Sequence, residues 1–296
     1  NDRAGLGYGL GAYTIWGLFP LYWPLLRPAS AWEILGHRML WSFAFLLLIN
    51  AVLRTGWAQI RTAVVTPRTR WLLLAAALLI SLNWGVYIWS VNAGFVVEAS
   101  LGYFINPLVS VALGVLVLGE RLRRVQWIAV GIALVAVAVL TFSYGRPPWI
   151  ALVLAFSFGM YGLVRKTAGV AAIPALTVET GFQTPFAIAY FVVLGLTAPN
   201  LTFGDDASTT LLLATAGIAT TIPLLLFGAA AIRLPLVALG ILQYLTPVIQ
   251  FTLGVSVFGE HMPLVRWLGF GLVWLALAVF TVDTVRSARR LPEPPL

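Results

Sequence analysis

Glu33 and His37 stand four residues apart, the spacing that puts two side chains on one face of a helix. A carboxylate beside an imidazole can hold, share or release a proton, and histidine titrates close to neutral pH. The arrangement returns 146 residues later as Glu179 and Gln183, an acid again followed by a hydrogen-bonding partner four positions on. Two such pairs suit gates or protonatable latches, and proton or other ion coupling is the chemistry they offer. The competing account makes each glutamate a cap or brace at a helix end. Arg38 is turned about 140° from Glu33 around the same helix and is expected to snorkel outward, its charge reaching for the interface. Glu33, His37, Arg38, Glu179 and Gln183 are thus the gating or proton-coupling candidates.

A second set of residues could bind rather than ionise. Asn83, Tyr87 and Ser90 share one helical face, with Trp84 and Asn92 beside them. Tyr103 and Asn106 precede Pro107, and Gln243, Tyr244 and Thr246 precede Pro247. A proline has no amide hydrogen and frees the carbonyl four residues back, here those of Tyr103 and Gln243, leaving polar backbone at depth. Aromatic rings with polar tips around such carbonyls suit a cavity for an aromatic or amphipathic molecule. For any one of these residues the plainer alternative is a kinked helix whose polar groups are satisfied by neighbours.

Lipid is the solvent in which these residues must be positioned. Hydrophobic residues make up 60% of the 296 positions and charged residues 9%, against about 25% charged in a soluble domain. Apolar stretches long enough to cross the roughly 30 Å hydrocarbon layer recur down the chain. Runs such as Trp71 to Ile80 and Val130 to Leu140 lack the alternation of a barrel strand, so the crossings read as helices. Ten are expected, over residues 5–26, 33–53, 71–92, 96–118, 125–143, 149–166, 174–197, 209–230, 234–258 and 264–284. Pro107 and Pro247 then fall near mid-helix, close to the midplane.

Of the 18 Lys and Arg residues, all but Arg27, Arg38, Arg146 and Arg266 fall on the side of the amino terminus. The positive-inside rule therefore expects both termini in the cytoplasm. Ala29-Ser30-Ala31 has the look of a signal-peptidase site, but the run before it carries Trp16, Pro20, Tyr22 and Trp23 and is long for a signal segment. Between Arg54 and Arg70, Trp57, Ile60 and Val64 suit a short interfacial helix. The residues after Arg290 read as a disordered tail.

Pro107, Gly114, Gly119, Glu120, Trp127 and Gly131 recur without a gap, 140 positions on, as Pro247, Gly254, Gly259, Glu260, Trp267 and Gly271. Five crossings separate the two copies. An odd number makes them enter the membrane from opposite faces, so the repeat is inverted. Arg121, Arg123 and Arg124 follow the first copy, whereas His261, Pro263 and Leu264 follow the second. The expected organisation is a first half over residues 1–146, an inverted second half over 147–285 and a cytoplasmic tail over 286–296. The Gly-Glu pairs read as turn chemistry, with Gly ending one helix and Glu opening the next. Two halves related in this way can exchange conformations around one central site, although a duplication can also build a passive scaffold.

Trp16-Gly17-Leu18-Phe19-Pro20, Glu33-Ile34-Leu35 with His37-Arg38, Asn83-Trp84, and Glu98 through Asn106-Pro107 resemble the RarD permeases of the EamA branch of the drug/metabolite transporter superfamily. Tyr161 to Lys166 and Gln243-Tyr244 with Pro247 extend the likeness through the second half. The resemblance implies an all-α integral membrane protein of the bacterial inner membrane, a ten-helix permease with a 5+5 inverted repeat and a central cavity. It adds Trp16 and Tyr161 to the cavity candidates, and carries a link to chloramphenicol sensitivity. Pro24 and Gly36 depart from it, standing where the family tends to have Lys and Thr.

The function expected is a secondary transporter of a small metabolite or drug-like solute, working by alternating access. No nucleotide-binding motif supplies energy, and neither Gly-x-Ser-x-Gly nor His-Glu-x-x-His occurs, so an enzyme is the weaker reading. With no cysteine there is no disulfide or thiolate metal site, and neither a cofactor nor a metal is expected. The lipid bilayer and a small-molecule substrate are the partners; the positive charge reports orientation rather than nucleic acid. A homodimer stays open, as does the alternative of a non-transporting scaffold or regulatory partner, whose midplane would be filled by side chains.

Overall fold

A computed structural model describes residues 2–26, 29–54, 56–93, 95–144, 148–197, 201–257 and 264–288. Among them the chain is almost entirely helical. The order is α1 (Asp2–Tyr22), a 3-10 turn (Trp23–Leu26), α2 (Ala31–Leu53), α3 (Trp57–Val65), α4 (Pro67–Asn92), α5 (Val96–Leu116) and α6 (Arg124–Tyr144). There follow α7 (Trp149–Ala168), α8 (Ala172–Thr197), α9 (Ala207–Ala231), α10 (Leu236–Leu242), α11 (Leu245–Ser256) and α12 (Leu264–Ala288). By length and composition, Ala31–Leu53, Pro67–Ser90, Trp149–Ala168, Ala172–Thr197 and Ala207–Ala231 are each able to cross a bilayer. The outer surface suits lipid: Leu116, Phe142 and Leu196 are among the large apolar side chains turned outward.

Local chemistry sets the helix ends. Ser30 caps α2 by accepting from the amide of Glu33, and Asp206 caps α9 by accepting from the amide of Thr209. Gly169 ends α7 at φ 64°, where only glycine is free of strain. The short helix foreseen between Arg54 and Arg70 is α3; it buries Ala63 against Leu73, Ala175 and Val178.

One expected helix is broken in two. In place of a continuous segment over 234–258, α10 and α11 are joined by a tight step at Gln243 and Tyr244. Pro247 removes an amide and its ring crowds the carbonyl four residues earlier. The chain responds with i−3 bonds, from Tyr244 N to Ile241 O (3.1 Å) and from Thr246 N to Gln243 O (3.2 Å). The Gln243 carbonyl, expected to be left open, is therefore satisfied. Pro107 instead lies inside an unbroken α5.

The helices pack in defined pairs: α1 on α9 and α11, α2 on α8 and α9, α4 on α7 and α8, α5 on α7 and α10, and α6 on α12. Small residues bring backbones together where side chains would hold them apart. A Cβ placed on Gly240 would stand 2.8 Å from the carbonyl oxygen of Pro107, so α10 meets α5 with no room to spare. Gly217 does the same for α9 against Trp41 of α2. Gly259 and Glu260, expected to form a turn, and the segment after Ala288 lie outside the described residues.

Candidate functional site

A cavity of about 170 Å³ opens among α1, α2, α4, α5, α7, α10 and α11. Its wall includes Trp16, Asn83, Trp84, Tyr87, Tyr103, Asn106, Gln243, Thr246 and Pro247, together with Tyr13, Phe19, Trp23, Arg38, Phe158 and Gln250. Those on α1 and α4 sit in the carboxyl-terminal halves of these helices, and those on α5 and α7 in the amino-terminal halves. The cavity thus occupies the end of the bundle where α1 finishes.

The polar wall is held in place by bonds between helices. Asn83 Nδ2 donates to Leu154 O and to Ser157 Oγ, both at 2.9 Å, which ties α4 to α7. Thr246 Oγ1 donates to Tyr13 O (2.9 Å) and Gln250 Nε2 to Trp16 O (3.2 Å), which ties α11 to α1. The Tyr87 and Tyr103 rings meet edge-on with centroids 5.9 Å apart. Asn106 Oδ1 is buried beside the cavity and accepts no hydrogen bond.

Arg38 does not snorkel outward. It is only 8% exposed and forms part of the cavity wall. Its Nε donates to Thr220 Oγ1 on α9 at 2.9 Å. The guanidinium carbon lies 4.3 Å from the ring centre of Trp84 and 5.0 Å from that of Trp23. The helical angle correctly turned Arg38 away from Glu33, but that face meets α9 and two indoles rather than lipid. Cation–π contact offsets part of the desolvation cost.

The opposite end of the bundle is closed. Tyr161, expected in the cavity, lies instead in this closed half, stacked on Phe227 with centroids 5.7 Å apart. Its hydroxyl donates to Glu179 Oε2 (3.1 Å), while Arg165 Nη1 donates to Glu179 Oε1 (2.9 Å). Both charges of that ion pair are about 1% exposed. Glu120 accepts from the amides of Leu236 (2.7 Å) and Val237 (2.9 Å), so it caps α10 rather than the helix that follows it. Lys166 lies 3.9 Å from the same carboxylate and also donates to the Leu234 carbonyl.

Three comparisons bear on what such a bundle is. Residues 3–142 match the EamA-like transporter family. The protein RarD of Streptomyces exfoliatus is 56% identical over 291 residues, spanning 98% of this chain and 92% of its own. An uncharacterized transporter of Pseudomonas aeruginosa is 45% identical over 296 residues, 99% of this chain and 98% of the other. The chain belongs to the EamA-like transporter family, among its RarD-type members. A solved crystal structure superposes on this RarD-type fold with a TM-score of 0.72 over 97% of this chain and 99% of that one, and at 19% identity the likeness concerns the fold alone. Family membership makes this a multi-pass membrane protein, and it points to transport rather than to an enzyme.

The remaining candidates of this EamA-like chain that the structure describes lie off the cavity wall. Glu33 Oε1 accepts from the amides of Thr202 (2.9 Å) and Phe203 (3.0 Å), bracing the segment ahead of α9. His37 Nε2 is 4.0 Å from that carboxylate, and His37 Nδ1 accepts from Trp41 Nε1 at 3.2 Å. Gln183 Nε2 donates to Ser81 Oγ (2.9 Å), linking α8 to α4. Tyr244 is fully buried and lies off the cavity wall, its hydroxyl on the Phe104 carbonyl. Asn92 ends α4, and its side chain lies outside the described residues. Tyr13, Phe158 and Gln250 were not foreseen; Gln250 follows Thr246 by one helical turn, a spacing that could have revealed it.

Proposed function

We propose that the chain is a secondary transporter carrying a small solute across the bacterial inner membrane by alternating access, with both termini in the cytoplasm. Its ten crossings are α1, α2, α4, α5 and α6 in one half and, inverted, α7, α8, α9, α10 with α11, and α12 in the other. The pairing of helices supports this division. Exchanging the halves turns α1 on α11 into α7 on α5, α1 on α9 into α7 on α4, and α2 on α9 into α8 on α4, all of which are packed pairs. The contacts α2 on α8, α5 on α10 and α6 on α12 map onto themselves.

The observation that carries the reading is the one-sided cavity. It is polar at Asn83, Tyr103 and Gln243, and the opposite half is closed by the Arg165–Glu179–Tyr161 cluster and the Glu120 cap on α10. In the proposed orientation this is an outward-facing state. Releasing the closed half while closing the aromatic end would present the same wall to the cytoplasm. Glu179 then serves as the inner latch and Glu33, with His37, as the outer brace. A non-transporting partner would have this space filled with side chains, and the 170 Å³ void runs against that reading.

The test is uptake by proteoliposomes against a metabolite panel, with and without a pH gradient. At least one solute should accumulate against an empty-liposome control. Failure of every solute under both conditions would overturn the proposal.

A further inference from the structure

Among the described residues each buried carboxylate meets a cation or backbone amides, whereas Arg38 meets no anion. Glu179 faces Arg165, Glu120 faces Lys166 and two amides, and Glu33 accepts from two amides. Arg38 has no carboxylate partner among the described residues. Among the described residues it makes one hydrogen bond, from Nε to the neutral Thr220 hydroxyl. Among the described residues Nη1 and Nη2 donate to no protein atom, and neither is a fully buried unpaired nitrogen as Arg165 Nη2 is. A guanidinium at this depth is costly to hold. Two indole faces recover part of that cost but leave the charge uncancelled and the terminal fork vacant of acceptors.

A planar fork of two parallel N–H donors matches a carboxylate in geometry and in charge. The rest of the wall carries no charge: Trp16, Trp84, Tyr87 and Tyr103 present rings, and Asn83, Asn106, Gln243 and Thr246 present neutral polar groups. A cavity of about 150 Å³ lined by apolar groups accepts a benzene ring, and this one measures about 170 Å³. We propose that Arg38 is the anion-binding residue of the cavity and that its occupant is a small monocarboxylate carrying a planar, ring-sized apolar body. The proposal rests on the cavity being the solute site of a transporter and names the class of solute.

The purified full chain in detergent is titrated with benzoate, benzamide, benzylammonium, chloride and phosphate, using displacement of radiolabelled benzoate and the thermal shift as readouts. Benzoate should bind at least about tenfold more tightly than its neutral amide, the worth of a charge-assisted bond. Benzylammonium, and chloride or phosphate at equal concentration, should not displace it. Arg38→Gln should lose the preference for benzoate while binding benzamide as before, and Arg38→Lys should keep part of it. Should Arg38→Gln not fold, the charge preference of the unaltered protein decides the matter. Absence of benzoate binding, equal affinity for acid and amide, displacement by chloride, or undiminished benzoate binding by folded Arg38→Gln would each overturn the proposal. Charge-selective binding with no uptake of any solute would sink the transport reading and leave this one standing. Uptake of neutral solutes by a protein that does not bind benzoate would do the reverse.

Discussion

The hydroxyl of Tyr244 donates to the carbonyl of Phe104 at 3.2 Å, and the two positions are 140 apart, the offset that also relates Pro107 to Pro247. In two halves related by a two-fold axis, equivalent positions touch only beside that axis. On the inverted-repeat reading, the step between α10 and α11 therefore lies close to the axis, near the approach of Gly240 on α10 to Pro107 on α5.

Tyr244→Phe should remove this bond and leave the Phe104 carbonyl buried without a donor. A loss of about 1 to 3 kcal/mol is expected, measured as a lowered unfolding temperature in detergent. An unchanged melting curve would show that the bond contributes nothing to holding α11 on α5.

Gly240→Ala should destabilise through backbone crowding. Its Cβ would meet the Pro107 carbonyl at 2.8 Å and the Ser110 Cβ at 2.9 Å, and neither is the flexible end of a side chain. The helices must part, at a cost of about 1 to 3 kcal/mol. Gly85→Ala, with open space around the added Cβ, is the control; equal melting of the two variants would contradict the close approach.

Arg165→Met should leave Glu179 buried beside Tyr161 with no cation, a change that typically costs about 3 to 5 kcal/mol. The double variant Arg165→Met/Glu179→Met should recover much of that loss, because no charge is then stranded. A double-mutant cycle on thermal unfolding tests this. Additive effects would mean that the two side chains do not interact in the folded protein. In proteoliposomes, Glu179→Gln should also alter the transport rate or its pH profile if this glutamate is a latch; an unchanged rate and profile in both Glu179→Gln and Glu33→Gln would remove the latch idea.

Asp206 caps α9 outside the spanning region. Hydrogen bonds from the Ser208 hydroxyl and from Thr209 hold its carboxyl below the usual carboxylate range. A carboxyl lowered on folding contributes stability that is fully present above its unfolded value, about 4, and is lost as pH falls through the folded value. The gap in melting temperature between the natural chain and Asp206→Ala should therefore be widest near neutrality and shrink as pH drops below about 4. A gap that is constant from pH 7 to pH 3 would rule out the cap as its source.

Much of the architecture was legible before any coordinates. Trp57 to Val64 marks α3, and the apolar runs mark helices whose ends differ from the expected ones by a few residues. The break at Gln243–Tyr244 was not legible. Pro107 and Pro247 occupy the same place in the offset pattern, and only the surrounding packing decides that α5 continues while α10 stops. Of the cavity wall, Asn83, Trp84, Tyr87, Tyr103 and Asn106 were suggested by spacing and polarity. Tyr161, which the family resemblance added, packs elsewhere, because its ring finds Phe227 and its hydroxyl finds Glu179.

Arg38 shows where that boundary lies. In lipid every backbone polar group must be satisfied by the protein itself, so long apolar runs without strand alternation dictate helices, and the 100° turn per residue dictates which face each side chain takes. The sequence by itself therefore determined a helical membrane protein, its offset pattern of 140, and that Arg38 points away from Glu33. What a face meets depends on residues far along the chain. Trp84, Trp23 and Thr220 come from three other segments, and only the tertiary structure decided that they surround a cation in a cavity wall instead of leaving it to reach for water.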